Sequence, residues 1–206
     1  MTDAERALQV LIHDVRTPLG VAHGYVRMLR EHRLPAPEDQ ERALRQTQDA
    51  LVHLSRLCEE ASAFMTAPTP GAEVVLPAGL FAVRLERALR ERNHGLLRPD
   101  LPEAWLMRTG SSLDRLAEAT ARILAPTSDT SGDVGLLADG TWMRVAADGA
   151  GTLADAAEGS QTFDPWQRAS LSLVVAHRIV TGVGGRVHEL PTGALVVVFP
   201  LETASV

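Results

Sequence analysis

Apolar residues recur near the start of the chain at Leu8, Leu11, Val15, Leu19, Ala22, Val26 and Leu29, the three-and-four spacing of one buried helical face. The spacing predicts a helix over residues 3–33, capped by Thr2 or Asp3 and bent at Pro18, where the ring removes a backbone donor. Leu34-Pro35-Ala36-Pro37 breaks the pattern. It resumes from Glu38 to about Ala67 through Leu44, Thr47, Leu51, Leu54, Leu57, Ala61 and Phe64, with Cys58 expected as a packed thiol. Two long amphipathic helices with a short connection form a helical hairpin. A lone hairpin leaves apolar surface open, and pairing two copies into a four-helix bundle closes it, so a homodimer is expected.

Beyond Ala67-Pro68-Thr69-Pro70-Gly71, a linker by composition, the pattern changes class. Short strands are predicted at Val74–Leu76 and Ala104–Arg108, and helices at Ala78–Arg92 and Ser112–Leu124. Strands at Val134–Leu137 and Trp142–Ala146 flank the turn Ala138-Asp139-Gly140. A third helix from about Pro165 to Thr181 is stopped by Gly182-Val183-Gly184-Gly185, and strands at Arg186–Glu189 and Ala194–Pro200 follow. Helices layered on one face of a mixed sheet make an α/β sandwich. The expected class is α+β, with a helical-hairpin domain over residues 1–67 and a sandwich domain over 72–206.

Composition narrows the partners. The chain has 206 residues and a net charge of −6, and all twenty of its Lys and Arg residues are Arg, interleaved with Asp and Glu. Phosphate neutralisation needs clustered positive charge, so nucleic acid is not expected as a partner. No apolar run approaches the ~20 residues of a membrane span, and the acidic start MTDAERALQV lacks the order of a signal peptide. A cytoplasmic protein with no membrane contact is expected. The single Cys58 excludes an internal disulfide, and the other histidines, His23, His32, His53, His94, His177 and His188, show no paired spacing for zinc, so no metal site is expected. Trp105, Trp142 and Trp166 are too scattered for a base-stacking platform and are expected to pack the sandwich.

The segment His13-Asp14-Val15-Arg16-Thr17-Pro18-Leu19-Gly20 carries the chemistry. His13 lies off the apolar stripe and should face water. A neutral imidazole can attack phosphorus, and the phosphoramidate formed is labile enough to pass its phosphoryl group onward. Asp14 can orient the ring or hold its proton, and Thr17, one turn later, can position a water or a phosphoryl oxygen. Arg16 either supports helix packing or meets phosphoryl charge. Gly20, Val21 and Gly24 offer a small surface for a docking helix, or else ease packing around Pro18.

This octet resembles the phosphoacceptor box of bacterial two-component sensor histidine kinases, and the second half resembles the ATP-binding domain of the same family. There, Phe163-Asp164-Pro165-Trp166-Gln167-Arg168 is similar to the family's F-box, and Leu171 through Arg186 to the helix and Gly-Gly-Arg that end its domain. The resemblance lets the nucleotide positions be read singly. Arg122 and Pro126 fall where the family has a magnesium-holding Asn, and neither offers an amide oxygen. Ala147-Asp148-Gly149-Ala150-Gly151 puts Ala147 at the adenine-reading Asp of the first glycine box. The second glycine box becomes Ser170-Leu171-Ser172-Leu173, with side chains where bare backbone would approach phosphates. Only Gln167, Arg168 and Ala169 stand where the family carries a lid.

These departures imply that the chain binds no ATP and does not autophosphorylate. The resemblance then points to a dimeric histidine phosphotransferase: His13 takes a phosphoryl group from the aspartate of a response-regulator receiver domain and yields it to another receiver, with magnesium brought by the receiver and no cofactor held by the chain. The catalytic group would be His13, Asp14, Arg16 and Thr17, and the docking surface Gly20, Val21 and Gly24. Three alternatives stand beside it, one of them a working kinase with a divergent nucleotide pocket, which would require tight Mg-ATP binding and label at His13 without a partner. A pseudokinase phosphatase would use the acidic-x-x-Thr pattern of Asp14 and Thr17 to direct water at a receiver's phosphoaspartate, and a scaffold would only present a surface to one response regulator.

Overall fold

A computed structural model of the chain describes residues 2–65, 74–97, 100–110, 112–125, 132–147, 160–168 and 170–203. The chain divides into two compact units, Met1–Ala67 with Ala169–Ser172, and Pro68–Arg168 with Leu173–Val206.

The first unit is the helical hairpin, α1 (Asp3–Arg30) and α2 (Pro37–Met65). Thr2 caps α1 through a capping box: the Glu5 amide donates to Thr2 Oγ1 (3.2 Å) and the Thr2 amide to Glu5 Oε2 (2.7 Å). The helix stays continuous across Pro18 and stops at Arg30, before the expected residue 33, because His32 takes a left-handed φ of 53°. The two helices pack along one another, and their buried positions are mostly small: Ala7, Pro18 and Ala22 on α1, Ala43, Ala50, Leu57 and Phe64 on α2. Three residues of the expected buried stripe are exposed, and only Ala22 of it is buried. Leu8, Leu19 and Val26 stand 56%, 55% and 50% exposed, with Ile12 beside them. The stripe is wider than one partner helix can cover, so the positions facing α2 are satisfied and those a quarter-turn away are not. Cys58, expected to pack, is also exposed.

The second unit holds two sheets rather than the single sheet expected. The smaller joins β1 (Val74–Pro77), β3 (Trp105–Thr109) and β9 (Glu202–Thr203) in the order β1-β3-β9, all antiparallel. Arg108 and Glu202 form an ion pair across it. The larger has the order β2-β4-β5-β8-β7-β6, from β2 (His94–Leu97), β4 (Gly132–Ala138), β5 (Trp142–Ala147), β6 (Gln161–Thr162), β7 (Arg186–Glu189) and β8 (Leu195–Pro200). Only β2 with β4 is parallel. The helices are α3 (Ala78–Arg90), α4 (Leu113–Leu124, capped by Ser112) and α5 (Leu171–Gly182). The expected third helix is thus split: Pro165–Arg168 is a 3-10 turn, and α5 begins only at Leu171.

Period two sorts the large sheet into two faces. Leu136, Val145, Val197 and Val187 lie in register across four strands, and all are buried in one core with the helices. Phe81 of α3 meets Phe199 of β8 edge to face at 5.1 Å, and Leu85, Leu89, Leu116 and Ile123 from α3 and α4 complete that core. One residue on, the row reads Leu137, Arg144, Val198 and Arg186, on the face that the helices do not cover. Trp142 belongs to this outer face as well, contrary to the expectation that it packs the sandwich core. Asp139 fixes the β4–β5 turn, accepting from the Thr141 hydroxyl (2.7 Å) and from the Thr141 and Trp142 amides (3.0 and 2.9 Å). Those bonds hold its carboxyl down at a pKa of about 2.

Candidate functional site

His13 sits in the middle of α1 with its side chain 83% exposed. Its Nδ1 lies 3.2 Å from Asp14 Oδ1, and Asp14 is only 25% exposed, so the carboxylate is held against the helix while the ring projects. An ionised carboxylate can only accept, so Nδ1 carries the proton in the neutral ring and the lone pair falls on Nε2. In that tautomer the ring can act as a nucleophile, with a basic nitrogen in water and a neighbouring anion to meet any positive charge that develops on the ring.

The other residues follow from helical spacing. Thr17 is four residues beyond His13, Gly20 three beyond Thr17, and Gly24 four beyond Gly20, so the four share one side of α1 with Val21 at its edge. Thr17 and Gly20 are exposed, and Val21 is 38% exposed. A Cβ built on Gly20 or Gly24 would meet nothing within 4 Å. The glycines are therefore not required for packing within the chain. Arg16, three residues from His13, is exposed and bonds no described residue, so it does not tie the two helices together. The sequence reading overlooked Ile12, which joins Leu8, Leu19 and Val26 in an exposed apolar line; the spacing of four, seven and seven was there to be read.

In the second unit, several described residues at the positions matched to the family's nucleotide boxes make other contacts. Arg122 Nη2 donates to Glu118 Oε1 (3.3 Å), and the same oxygen accepts from Arg92 Nη2 (2.8 Å), so a charged cluster stands on that side of α4. Ala147 ends β5 opposite Val134. Leu171 and Leu173 are buried at the start of α5. Arg168 pins the 3-10 turn to the β7–β8 hairpin, donating to Glu189 Oε1 (2.8 Å) and the Gly193 carbonyl (3.1 Å), with its guanidinium 5.7 Å from the Phe163 ring centre. Pro126, Asp148, Gly149, Ala150, Gly151 and Ala169 lie outside the described residues. Among those described, no helix is long and apolar enough to cross a membrane.

Residues 4–65 match the family of the His Kinase A (phospho-acceptor) domain. The fold extends the likeness over nearly the whole chain. The histidine kinase AdeS of Acinetobacter baumannii superposes with a TM-score of 0.57 at 12% identity, over 94% of this chain and 98% of that one. The histidine kinase ThkA, in its complex with the response regulator TrrA, gives 0.57 at 15% identity over 98% of this chain and 64% of that one. No curated protein sequence matches the chain. Residues 4–65 are thus similar to a His Kinase A (phospho-acceptor) domain, and the chain has a fold like that of solved histidine kinases.

Proposed function

We propose that the chain is a histidine phosphotransferase of a bacterial phosphorelay, accepting a phosphoryl group on His13 from a receiver-domain aspartate and passing it to a second receiver, without autophosphorylation from ATP. The observation that carries this reading is the exposed His13 ring, its Nδ1 on Asp14 and its Nε2 directed to the basic role. In the transfer, Nε2 attacks the phosphorus in line as the bond to the aspartate oxygen breaks. The receiver's carboxylate leaves, the phosphoramidate forms on Nε2, and the Nδ1 proton stays in the bond to Asp14. The reverse step onto a second receiver uses the same geometry. Arg16 is available to phosphoryl charge, and the receiver supplies the magnesium ion. A receiver helix docks over Gly20, Val21 and Gly24, where the helix backbone is bare. ThkA is seen in complex with a response regulator, which supports receivers as the partners of a chain with this fold.

Loss of the autokinase half draws support from the Arg122–Glu118–Arg92 cluster and the short Arg168-pinned turn: among the described residues, Arg122 stands where the resemblance puts a magnesium-holding amide, and only Gln167 and Arg168 where it puts a lid. A homodimer is supported by the exposed line of Leu8, Ile12, Leu19 and Val26 on α1, alongside Leu44 and Leu51 on α2. Light scattering at micromolar concentration should return twice the chain mass.

The second reading, hydrolysis of a receiver's phosphoaspartate, draws on Thr17, which is exposed, bonds no described residue and stands three residues after Asp14. One experiment separates the two. Labelled phospho-receivers of the source genome are incubated with wild type, His13→Ala and Thr17→Ala, and the products resolved by gel and by acid stability. Relay predicts acid-labile, alkali-stable label on wild type and none on His13→Ala. Free phosphate released by wild type and His13→Ala but not by Thr17→Ala would replace relay with hydrolysis, and no loss of label from any receiver would remove both.

A further inference from the structure

The face of the large sheet that carries no helices holds an open cavity of about 220 Å³. Its floor is Val196 and Val198 of β8, and its walls rise from Trp142 and Arg144 on β5, Arg186 and His188 on β7, and Ser160 ahead of β6. Strand register sets the arrangement. Arg144 and Arg186 both pair with Val198, one from each side, so two guanidiniums flank a single apolar position across roughly 10 Å of backbone, two strand spacings. Both side chains line the cavity. Arg186 is further held with its guanidinium 5.3 Å from the Trp142 ring centre.

The charge contributed by the described residues of this cavity is one-sided: no carboxylate is among its described lining residues. Two described acidic groups near it in sequence are already engaged: Asp139 by Thr141 and the Trp142 amide, Glu189 by Arg168. Neither Arg144 nor Arg186 forms an ion pair with a described residue, whereas Arg87, Arg92, Arg108 and Arg168 of the same unit all do. His188 stands two residues beyond Arg186 on β7, paired with Val196, and burial followed by the Arg186 charge lowers its pKa, so near neutral pH it offers one N–H and one lone pair.

We infer that this cavity is a binding site for a small phosphomonoester, with Arg144 and Arg186 gripping the phosphate oxygens, Ser160 and His188 donating to the remainder, and the organic group lying on Val196, Val198 and Trp142. Two planar forks suit a tetrahedral dianion, whose three terminal oxygens accept from several directions at once. The volume lies below the ~300–1,000 Å³ of sites for drug-sized ligands, which limits the occupant to a compact molecule. The cavity is built from residues of the second unit alone, and the inference does not depend on the relay reading.

The test is calorimetric titration of the full chain at low salt with phenyl phosphate, inorganic phosphate and benzoate. The expected result is 1:1 binding of phenyl phosphate with a dissociation constant below about 1 mM, weaker binding of inorganic phosphate, which lacks the apolar body, and of benzoate, which lacks the third oxygen. Arg144→Gln and Arg186→Gln each weaken phenyl phosphate at least tenfold, while Arg45→Gln on the hairpin leaves it unchanged. In parallel, phenyl phosphate moves the His188 imidazole resonance and raises its titration midpoint. Should a glutamine variant melt early, Arg144→Lys and Arg186→Lys, which keep charge and stem, are read instead and must still weaken binding by losing the fork. No saturable binding up to about 10 mM, equal weakening by Arg45→Gln, or lysine variants that bind as wild type would overturn the assignment. Inorganic phosphate binding as tightly as phenyl phosphate would overturn the ester and its apolar seat.

Discussion

Glycine marks the difference between the two units. On α1 of the hairpin, Gly20 and Gly24 stand where a Cβ would touch nothing, on the same side as an exposed histidine. After α5 of the sandwich, Gly185 stands where a Cβ would lie 2.8 Å from both the Val180 carbonyl oxygen and Val180 Cγ1, and 2.9 Å from Phe199. The same residue type is spare in one place and compelled in the other. A helix interior gains nothing from glycine, which costs about 1 kcal/mol relative to alanine there. The hairpin thus tolerates a local weakness on the side that carries His13, while the sandwich uses glycine to close its core. The first unit keeps its chemistry on the outside, and the second spends its helix-facing positions on packing.

Four substitutions put this contrast at risk. The largest expected effect is at Gly185→Ala, which must displace backbone or Phe199 and should destabilise the sandwich by about 1–3 kcal/mol, read as an earlier thermal transition. An unchanged melting profile would show that the close approach is soft. Next, Gly20→Ala and Gly24→Ala should each stabilise the hairpin by up to about 1 kcal/mol while slowing phosphoryl transfer from a cognate receiver. If they stabilise and transfer is untouched, the glycines have no docking role. The smallest effect concerns His177, half-buried on α5 with its ring centre 6.1 Å from that of Phe163. Burial lowers its pKa despite the opposing pull of Asp164, so the unfolded chain binds the extra proton first. Its contribution is complete above the usual histidine pKa near 6.5 and is lost as pH falls through that value toward the depressed folded one. His177→Phe should flatten the acid side of the stability curve in that window, and an unchanged slope would reject the assignment.

How much of this was legible in the sequence differs between the units for physical reasons. The hairpin's helices follow from spacing alone, and the His13 octet from residue type. What spacing could not tell was that Leu8, Leu19 and Val26 stay uncovered in one chain, because an apolar stripe records the need for burial and not the partner that meets it. In the sandwich, the central strands β5 and β8 announce themselves by apolar runs. Strands β2, β6 and β9 do not: two have only two residues each, and His94-Gly95-Leu96-Leu97 is made a strand by its parallel partner β4. Pro165 starts the helical pattern early in sequence, but Asp164 caps a separate turn by accepting from the Trp166 amide at 3.0 Å, which delays α5 to Leu171. The outer-face cavity was hidden for a different reason. Arg144 and Arg186 are 42 positions apart, and only pairing of both with Val198 brings them together.

The central claim is that the hairpin retains acceptor chemistry while the sandwich no longer supplies it from ATP. It is tested most directly by offering the full chain two labelled donors side by side, magnesium with γ-labelled ATP and a phosphorylated cognate receiver, and following acid-labile label on wild type and His13→Ala. The account predicts label from the receiver, none from ATP, and none on His13→Ala from either. Label on His13 from ATP alone, with no receiver present, would contradict it and make the chain a working kinase.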